Sequence, residues 1–209
     1  MSGRGRLIAV EGIDGCGKST QARRLADVLG ARRTSEPGST PLGAELRRLV
    51  LGADLPPITA RAEALLMAAD RAQHVEDELR PWLEAGQWVV TERFSGSTLA
   101  YQGYGRGLDL PGLERLVTWA AGGLEPDLTV LLDVPVELAA SRRAGQRPDR
   151  LEAQGADFHA RVRAGYLALA GAAPGRWAVV EGAGEVEAVA EAVLAVVAAR
   201  LGPLPVRAP

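Results

Sequence analysis

Arg6 to Thr20 reads RLIAVEGIDGCGKST. Leu7, Ile8, Ala9 and Val10 form a short apolar run, the pattern of a parallel strand buried on both faces. The run passes into Gly12-Ile-Asp-Gly-Cys-Gly-Lys-Ser19, which is G-x-x-x-x-G-K-S, and a helical pattern follows to Leu29. Strand, glycine loop and helix in that order make a phosphate-binding loop, the P-loop. Gly12, Gly15 and Gly17 let backbone N–H groups turn inward around a polyphosphate. The positive end of the following helix points to the same place. Lys18 can reach β- and γ-phosphates and Ser19 can ligate Mg²⁺. Cys16 and Thr20 belong to the same loop. The rest of the chain has to supply an acceptor for the phosphoryl group.

Composition narrows the class. The chain has 209 residues, one domain's length, expected as a single unit over 1–209 with a substantial core. A net charge of −2 argues against a general nucleic-acid or membrane-surface binder. The single cysteine, Cys16, excludes an intramolecular disulfide and a cysteine metal cluster. No apolar run approaches the roughly 20 residues of a membrane span. The N-terminus enters its strand too soon for a signal peptide, so a cytoplasmic protein is expected.

Strand candidates alternate with helical patterns. The strands are Leu7–Val10, Ala31–Thr34, Trp88–Thr91, Leu128–Leu132 and Trp177–Val180, which predicts a three-layer α/β fold on a parallel sheet. Helices are expected over Leu42–Leu51, Thr59–Leu79, Val136–Ala144, Asp157–Ala170 and Val186–Leu201. On the second of these, Ala62, Leu65, Leu66, Ala69 and Ala72 fit one apolar face, expected to be the core face. Met67, Arg71 and His74 share another stripe. Glu92-Arg93 closes a strand at the carboxyl edge of the sheet, where open α/β sheets bind ligands. The Ser95–Asp109 stretch, rich in Gly, Tyr and Gln, reads as a loop that wraps a small ligand. Arg142, Arg143, Arg147 and Arg150, broken by Gly and Pro, read as a basic flap able to clamp a phosphoryl group. His159 reads as a surface residue, and the proline-rich tail after Gly202 is expected to fray.

With these residues in view, the chain resembles the thymidylate kinases, nucleoside monophosphate kinases that make dTDP from dTMP. The P-loop alone is common to many enzymes. More specific are Ala68-Ala-Asp-Arg-Ala-Gln-His-Val75, Glu92-Arg93 with Ser97, Ala100-Tyr-Gln-Gly-Tyr-Gly-Arg-Gly107, and Asp149-Arg-Leu-Glu152. The resemblance covers Leu7 to about Val180. It implies the P-loop nucleoside monophosphate kinase fold, a five-stranded parallel sheet flanked by helices, with a small lid at about 141–152. It further implies ATP and Mg²⁺ as cofactors, dTMP as the small-molecule partner, and a homodimer built through helices.

The family's roles carry over as follows. Asp14 lies near the acceptor phosphate, and Arg47 and Arg93 hold it. Arg71 contacts the thymine O4 carbonyl, Thr98 and Gln102 sit near the base, and Tyr101 sits against the sugar. Arg143 covers the adenine of ATP. Glu36 stands among the acceptor-binding residues, and Glu92 joins Ser19 as a metal ligand. Some members supply an arginine from the P-loop to the transferring group. Here Ile13, Asp14, Gly15 and Cys16 supply none, so the lid has to. Arg147 has no acidic neighbour in sequence and is expected to fill that role. Arg150, expected to be held by its neighbour Asp149 as an ion pair, is next.

The chain also departs from the family pattern. Ser35-Glu-Pro-Gly-Ser-Thr40 replaces Arg-Glu-Pro-Gly-Gly-Thr, Glu92-Arg93-Phe94 replaces Asp-Arg-Tyr or Asp-Arg-His, and Met67 stands where a Phe stacks on thymine. Two alternatives remain open on sequence. One is a deoxyribonucleoside kinase with Glu36 as general base. The other is a nucleotide-binding homologue that has lost catalysis.

Overall fold

All of β1 (Leu7–Glu11) is buried in the computed structural model, which describes residues 4–145 and 147–205. Such a strand needs cover on both faces. Its side chains alternate between two cores. Ile8 and Val10 pack with Ala22, Leu25, Leu29 and Val193. Leu7 and Ala9 pack with Val75, Leu79 and Leu83 on the other face.

The other strands are β2 (Arg32–Ser35), β3 (Val89–Glu92), β4 (Leu128–Asp133) and β5 (Trp177–Glu181). All pairings are parallel, in the order β2-β3-β1-β4-β5. Val10 pairs with Glu92 of β3, and Glu11 with Leu131 of β4. Each expected strand is present and ends one residue later than its sequence pattern. The added residues are Glu11, Ser35, Glu92, Asp133 and Glu181, polar groups that finish the strands at the carboxyl edge.

The helices are α1 (Lys18–Leu29), α2 (Pro41–Leu51), α3 (Ala60–His74), α4 (Arg80–Glu84), α5 (Ser95–Thr98), α6 (Leu110–Ala120), α7 (Val136–Arg142), α8 (Ala156–Ala172) and α9 (Val186–Leu201). Thr40 and Thr59 cap α2 and α3 with side-chain hydrogen bonds. α3 runs through a π-helical turn, Val75–Leu79, into α4, which carries Pro81 in its first turn, where the missing N–H costs least. No described helix is long and apolar enough to cross a membrane.

Three expectations are corrected. α3 is turned inside out: Leu65 is 55% exposed, whereas Glu63, Asp70, Arg71 and His74 face inward and are buried. Asp70 and Arg71 line the cleft described below, Glu63 and His74 hydrogen-bond residues that line it, and this pairing outweighs the apolar pattern. Ser95–Asp109 is not a loop, because α5 is followed by a π-helical segment, Leu99–Gly105. Ala100, Tyr101 and Gly103 are buried there, so tertiary packing overrides the weak helix propensity of glycine. His159 is buried, its ring edge-on to Phe158 at 5.4 Å. The tail is described only to Pro205, and Gln146 of the flap lies outside the described residues.

The π-helical segment lies against α8 through two glycines. A Cβ on Gly105 would stand 2.7 Å from the Phe158 ring, and one on Gly165 would stand 2.5 Å from Tyr104 Cγ. Gly165→Val should therefore force the two elements apart. The expected loss is about 1–3 kcal/mol of unfolding free energy, as for other overpacked cores, read by urea denaturation.

Candidate active site

A cleft of about 880 Å³ opens at the carboxyl edge of the sheet, where strand order reverses about β1. The P-loop forms one wall. Gly17 holds φ 96°, a left-handed value that glycine adopts without strain, and the chain turns there directly into α1. Lys18 is 4% exposed; its Nζ donates to the Ile13 carbonyl at 2.9 Å and stands 3.8 Å from Asp14 Oδ1. Ser19 Oγ donates to Glu92 Oε1 at 2.9 Å. The P-loop hydroxyl and the strand-end acid therefore meet, and Glu92 spans the gap directly. A hydroxyl and a carboxylate beside a phosphate cradle are the oxygen donors that suit Mg²⁺. Gly12 and Gly15 shape the loop, Cys16 is buried beneath it, and Thr20 reaches the cleft with Gly15 and Gly17.

Asp14 joins this wall to the next. Arg93 follows β3 with φ 69°, a conformation that costs a non-glycine residue energy and needs firm contacts. Its Nη2 donates to Asp14 Oδ1 and, at 3.4 Å, to the Tyr101 hydroxyl. Tyr101 OH donates in turn to Asp14 Oδ2 at 2.6 Å. Burial pushes the Asp14 carboxyl up, but Arg93 and Lys18 outweigh it and hold it well below the usual range. Arg93 is likewise kept charged, because Asp14 offsets the cost of its burial.

The third wall comes from β2, α3 and α5. Glu36 Oε2 accepts from Arg71 Nε at 2.9 Å and Nη2 at 2.8 Å, and Oε1 lies 2.9 Å from His74 Nδ1. Arg71 Nη1 donates to Thr98 Oγ1 at 3.1 Å. Gln102 Nε2 donates to Glu63 Oε1 at 2.9 Å, and Arg106 pairs with the same carboxylate. Half-buried Met67 lines the cleft. Arg47 also reaches it, from exposed positions on α2, and donates to the Pro37 carbonyl at 2.8 Å.

The flap divides differently from the sequence expectation. Arg143 lines the cleft, and its buried Nε has no hydrogen-bond partner among the described residues. Arg147 does have an acidic partner: it pairs with Asp54 at 2.7 Å on an exposed surface. The pair spans 93 positions of chain, so no local pattern announces it. Arg150 does not pair with Asp149; its Nη2 donates to the carbonyls of Gly52 at 2.8 Å and Leu55 at 3.1 Å.

Sequence reading also missed Glu11, Glu63 and Tyr166, all buried against the residues it named. A charged residue ending an otherwise apolar strand was the available signal for Glu11. Nothing local marks the other two.

Asp70 lines the cleft and accepts from Gly38 N at 2.9 Å. Burial, with help from the Glu36 charge, pushes its carboxyl from 3.8 up to about 6. The folded state then holds a proton that the unfolded chain releases, so this contribution to stability is present below about pH 4 and lost as pH rises through about 6. Asp70→Asn keeps an acceptor for Gly38 and removes the titration. Melting curves should show the variant gaining on wild type between about pH 4 and 6, by up to about 3 kcal/mol.

Similarity to known proteins agrees with this geometry. Residues 10–193 match the family described as thymidylate kinase. A thymidylate kinase of Synechococcus sp. (strain CC9902) is 52% identical over 179 residues, 79% of this chain and 85% of that protein. One from Prochlorococcus marinus (strain MIT 9313) is 49% identical, covering 96% of this chain and 97% of the relative. The crystal structure of thymidylate kinase from Ehrlichia chaffeensis superposes with a TM-score of 0.77 at 29% identity, covering 93% of this chain and 99% of that one. A P-loop wall and an arginine-bearing wall meeting at Asp14, on a chain matched over almost all its length, make this protein a member of the thymidylate kinase family, an enzyme of the nucleoside monophosphate kinase class.

Proposed function

We propose that the protein transfers the γ-phosphoryl group of ATP to the phosphate of dTMP, giving dTDP. The observation that carries this reading is Asp14, which Lys18 faces from the donor side and Arg93 from the acceptor side. Phosphoryl transfer needs little covalent help, so positioning and charge neutralisation do most of the work. Lys18 and the loop N–H groups hold the ATP phosphates. Ser19 and Glu92 hold Mg²⁺, which neutralises phosphate charge when bound. Arg93, with Arg47, holds the acceptor phosphate, and Asp14 fixes where Arg93 stands. Tyr101 lies against the sugar, and Met67, Thr98 and Gln102 border the base.

Glu36 separates this reading from a nucleoside kinase. The general base of a hydroxyl acceptor must be free to take a proton, and Glu36 is engaged by Arg71 and His74. Retained Lys18, Ser19 and Asp14 also argue for an active enzyme. The exposed Leu65 of α3 and the exposed Trp119 of α6, on helices packed together, support a homodimer through this side. The protein would act in the cytoplasm, with the flap at about 141–152 as its lid.

Arg71 is donor-only and suits the O4 of thymine or uracil, not the amino group of cytosine. A donor left facing a donor costs roughly 1–3 kcal/mol. Purified protein with ATP and Mg²⁺ should make dTDP from dTMP and leave thymidine unphosphorylated. It should prefer dTMP over dCMP by at least about tenfold in kcat/KM. Chromatography of the products checks both, and equal use of dCMP or conversion of thymidine would defeat the assignment.

The lid arginines separate on the same assay. Arg143 faces the cleft, and Arg143→Ala should lower kcat/KM for ATP by about tenfold or more, the scale of one lost charged hydrogen bond. Arg147→Ala removes an exposed ion pair and should change turnover little.

A further inference from the structure

Glu11 ends β1, is fully buried, and has no part in the donor or acceptor chemistry described above. Its carboxylate accepts four hydrogen bonds. Oε1 takes the N–H groups of Phe94 at 2.9 Å and Ser97 at 3.0 Å. Oε2 takes Ser97 Oγ at 2.6 Å and the Tyr166 hydroxyl at 3.0 Å. Those two hydroxyls, 2.8 Å apart, are also the partners of Arg93 Nη1, at 3.0 Å and 3.3 Å.

Donor and acceptor counting fixes the direction of the bonds to Glu11 and from Arg93. A carboxylate only accepts, a guanidinium only donates, and a hydroxyl has one hydrogen and two lone pairs. With a carboxylate behind them, Ser97 and Tyr166 give their hydrogens to Glu11 and present their lone pairs to Arg93. Burial leaves the Glu11 carboxyl above its usual range, although Ser97, Arg93, Phe94 and Tyr166 all pull it down; the two N–H groups on Oε1 and the two hydroxyls on Oε2 are the donors that the ionised form calls for. The bonds from Phe94 and Ser97 N–H also pin the chain just beyond Arg93, whose left-handed backbone needs such support.

We infer that Glu11 is a positioning residue that aims Arg93 at the acceptor phosphate, acting through the hydroxyls of Ser97 and Tyr166. The inference rests on the reading of Arg93 as the ligand of that phosphate. Glu11→Gln tests it with almost no change of shape. Its amide oxygen can keep the two N–H bonds, but its NH2 replaces the oxygen that received the hydroxyls. The hydroxyl hydrogens must then turn elsewhere, and at least one meets the donor-only Arg93.

Wild type, Glu11→Gln, Tyr166→Phe and the double variant should be compared for dTMP KM, ATP KM and melting temperature, with dTMP Kd by calorimetry. Glu11→Gln should raise dTMP KM and Kd by about tenfold, or 1.4 kcal/mol, with ATP KM unchanged. Tyr166→Phe should move dTMP in the same direction. The double variant should go no further than Glu11→Gln alone, because the tyrosine acts through the carboxylate. An unchanged dTMP KM and Kd in Glu11→Gln overturns the inference. So does a parallel rise in both KM values with a lowered melting temperature, the mark of a merely structural role. If Glu11→Gln does not fold, Tyr166→Phe decides: weaker dTMP binding at unchanged ATP KM supports the inference, and unchanged dTMP binding overturns it. A wild type that binds dTMP without making dTDP would refute the proposed function, while the calorimetric comparison would still test Glu11.

Discussion

One guanidinium between a half-buried carboxylate and a fully buried one sets the geometry of the cleft. Arg93 meets Asp14 directly and Glu11 through the Ser97 and Tyr166 hydroxyls. An ion pair removed from water is held together only when its remaining donors and acceptors are also met, and removing one partner leaves a costly bare charge. Here the surroundings are closed: Tyr101 hydrogen-bonds Asp14, and its ring lies 5.1 Å from the guanidinium carbon. The left-handed backbone at Arg93 is affordable in that setting, because contacts on every side hold it. Glu11 and Asp14 come from the strand end and loop that also carry Lys18. The wall that carries Arg93 is thus tied by hydrogen bonds to groups on the same chain segment as Lys18.

The same demand for paired charge explains why α3 defies its own pattern. A helix with an apolar stripe ordinarily turns that stripe inward. On α3 the inward stripe holds Glu63, Asp70, Arg71 and His74, and each has a hydrogen-bonding partner among cleft residues. Burying these groups unpaired would cost far more than exposing Leu65 does. Once oriented by the polar network, the helix has only its apolar side left to offer to solvent or to another surface.

What the sequence disclosed and what it hid follow from range. The strands and P-loop were legible because an apolar run and a glycine spacing are local signals, and the parallel pairing followed from the β-α alternation, whereas the strand order did not. Lys18, Ser19, Asp14, Glu92 and Arg93 were legible for the same reason, since motif and strand end position them. The helical state of Leu99–Gly105 was hidden, because only packing against α8 overrides its glycines. Tyr166 and Glu63 were hidden because their partners lie 155 and 39 positions away, respectively, in Glu11 and Gln102. His159 was misread as exposed because a lone histidine carries no periodic information.

The flap shows the cost of reasoning from local charge alone. The absence of an acidic neighbour in sequence singled out Arg147, yet Asp54 sits beside it in space. Arg150 N also donates to the Leu51 carbonyl, in addition to the bonds from its side chain to Gly52 and Leu55. The flap is thereby bonded to the end of α2, the helix that carries Arg47. Exposed ion pairs contribute little, whereas a guanidinium on two carbonyls and a main-chain bond constrain position more firmly. Movement of Arg150 toward the P-loop therefore has to break the bonds to residues 51–55 or carry that segment along. Arg143 faces no such requirement, because it already lines the cleft.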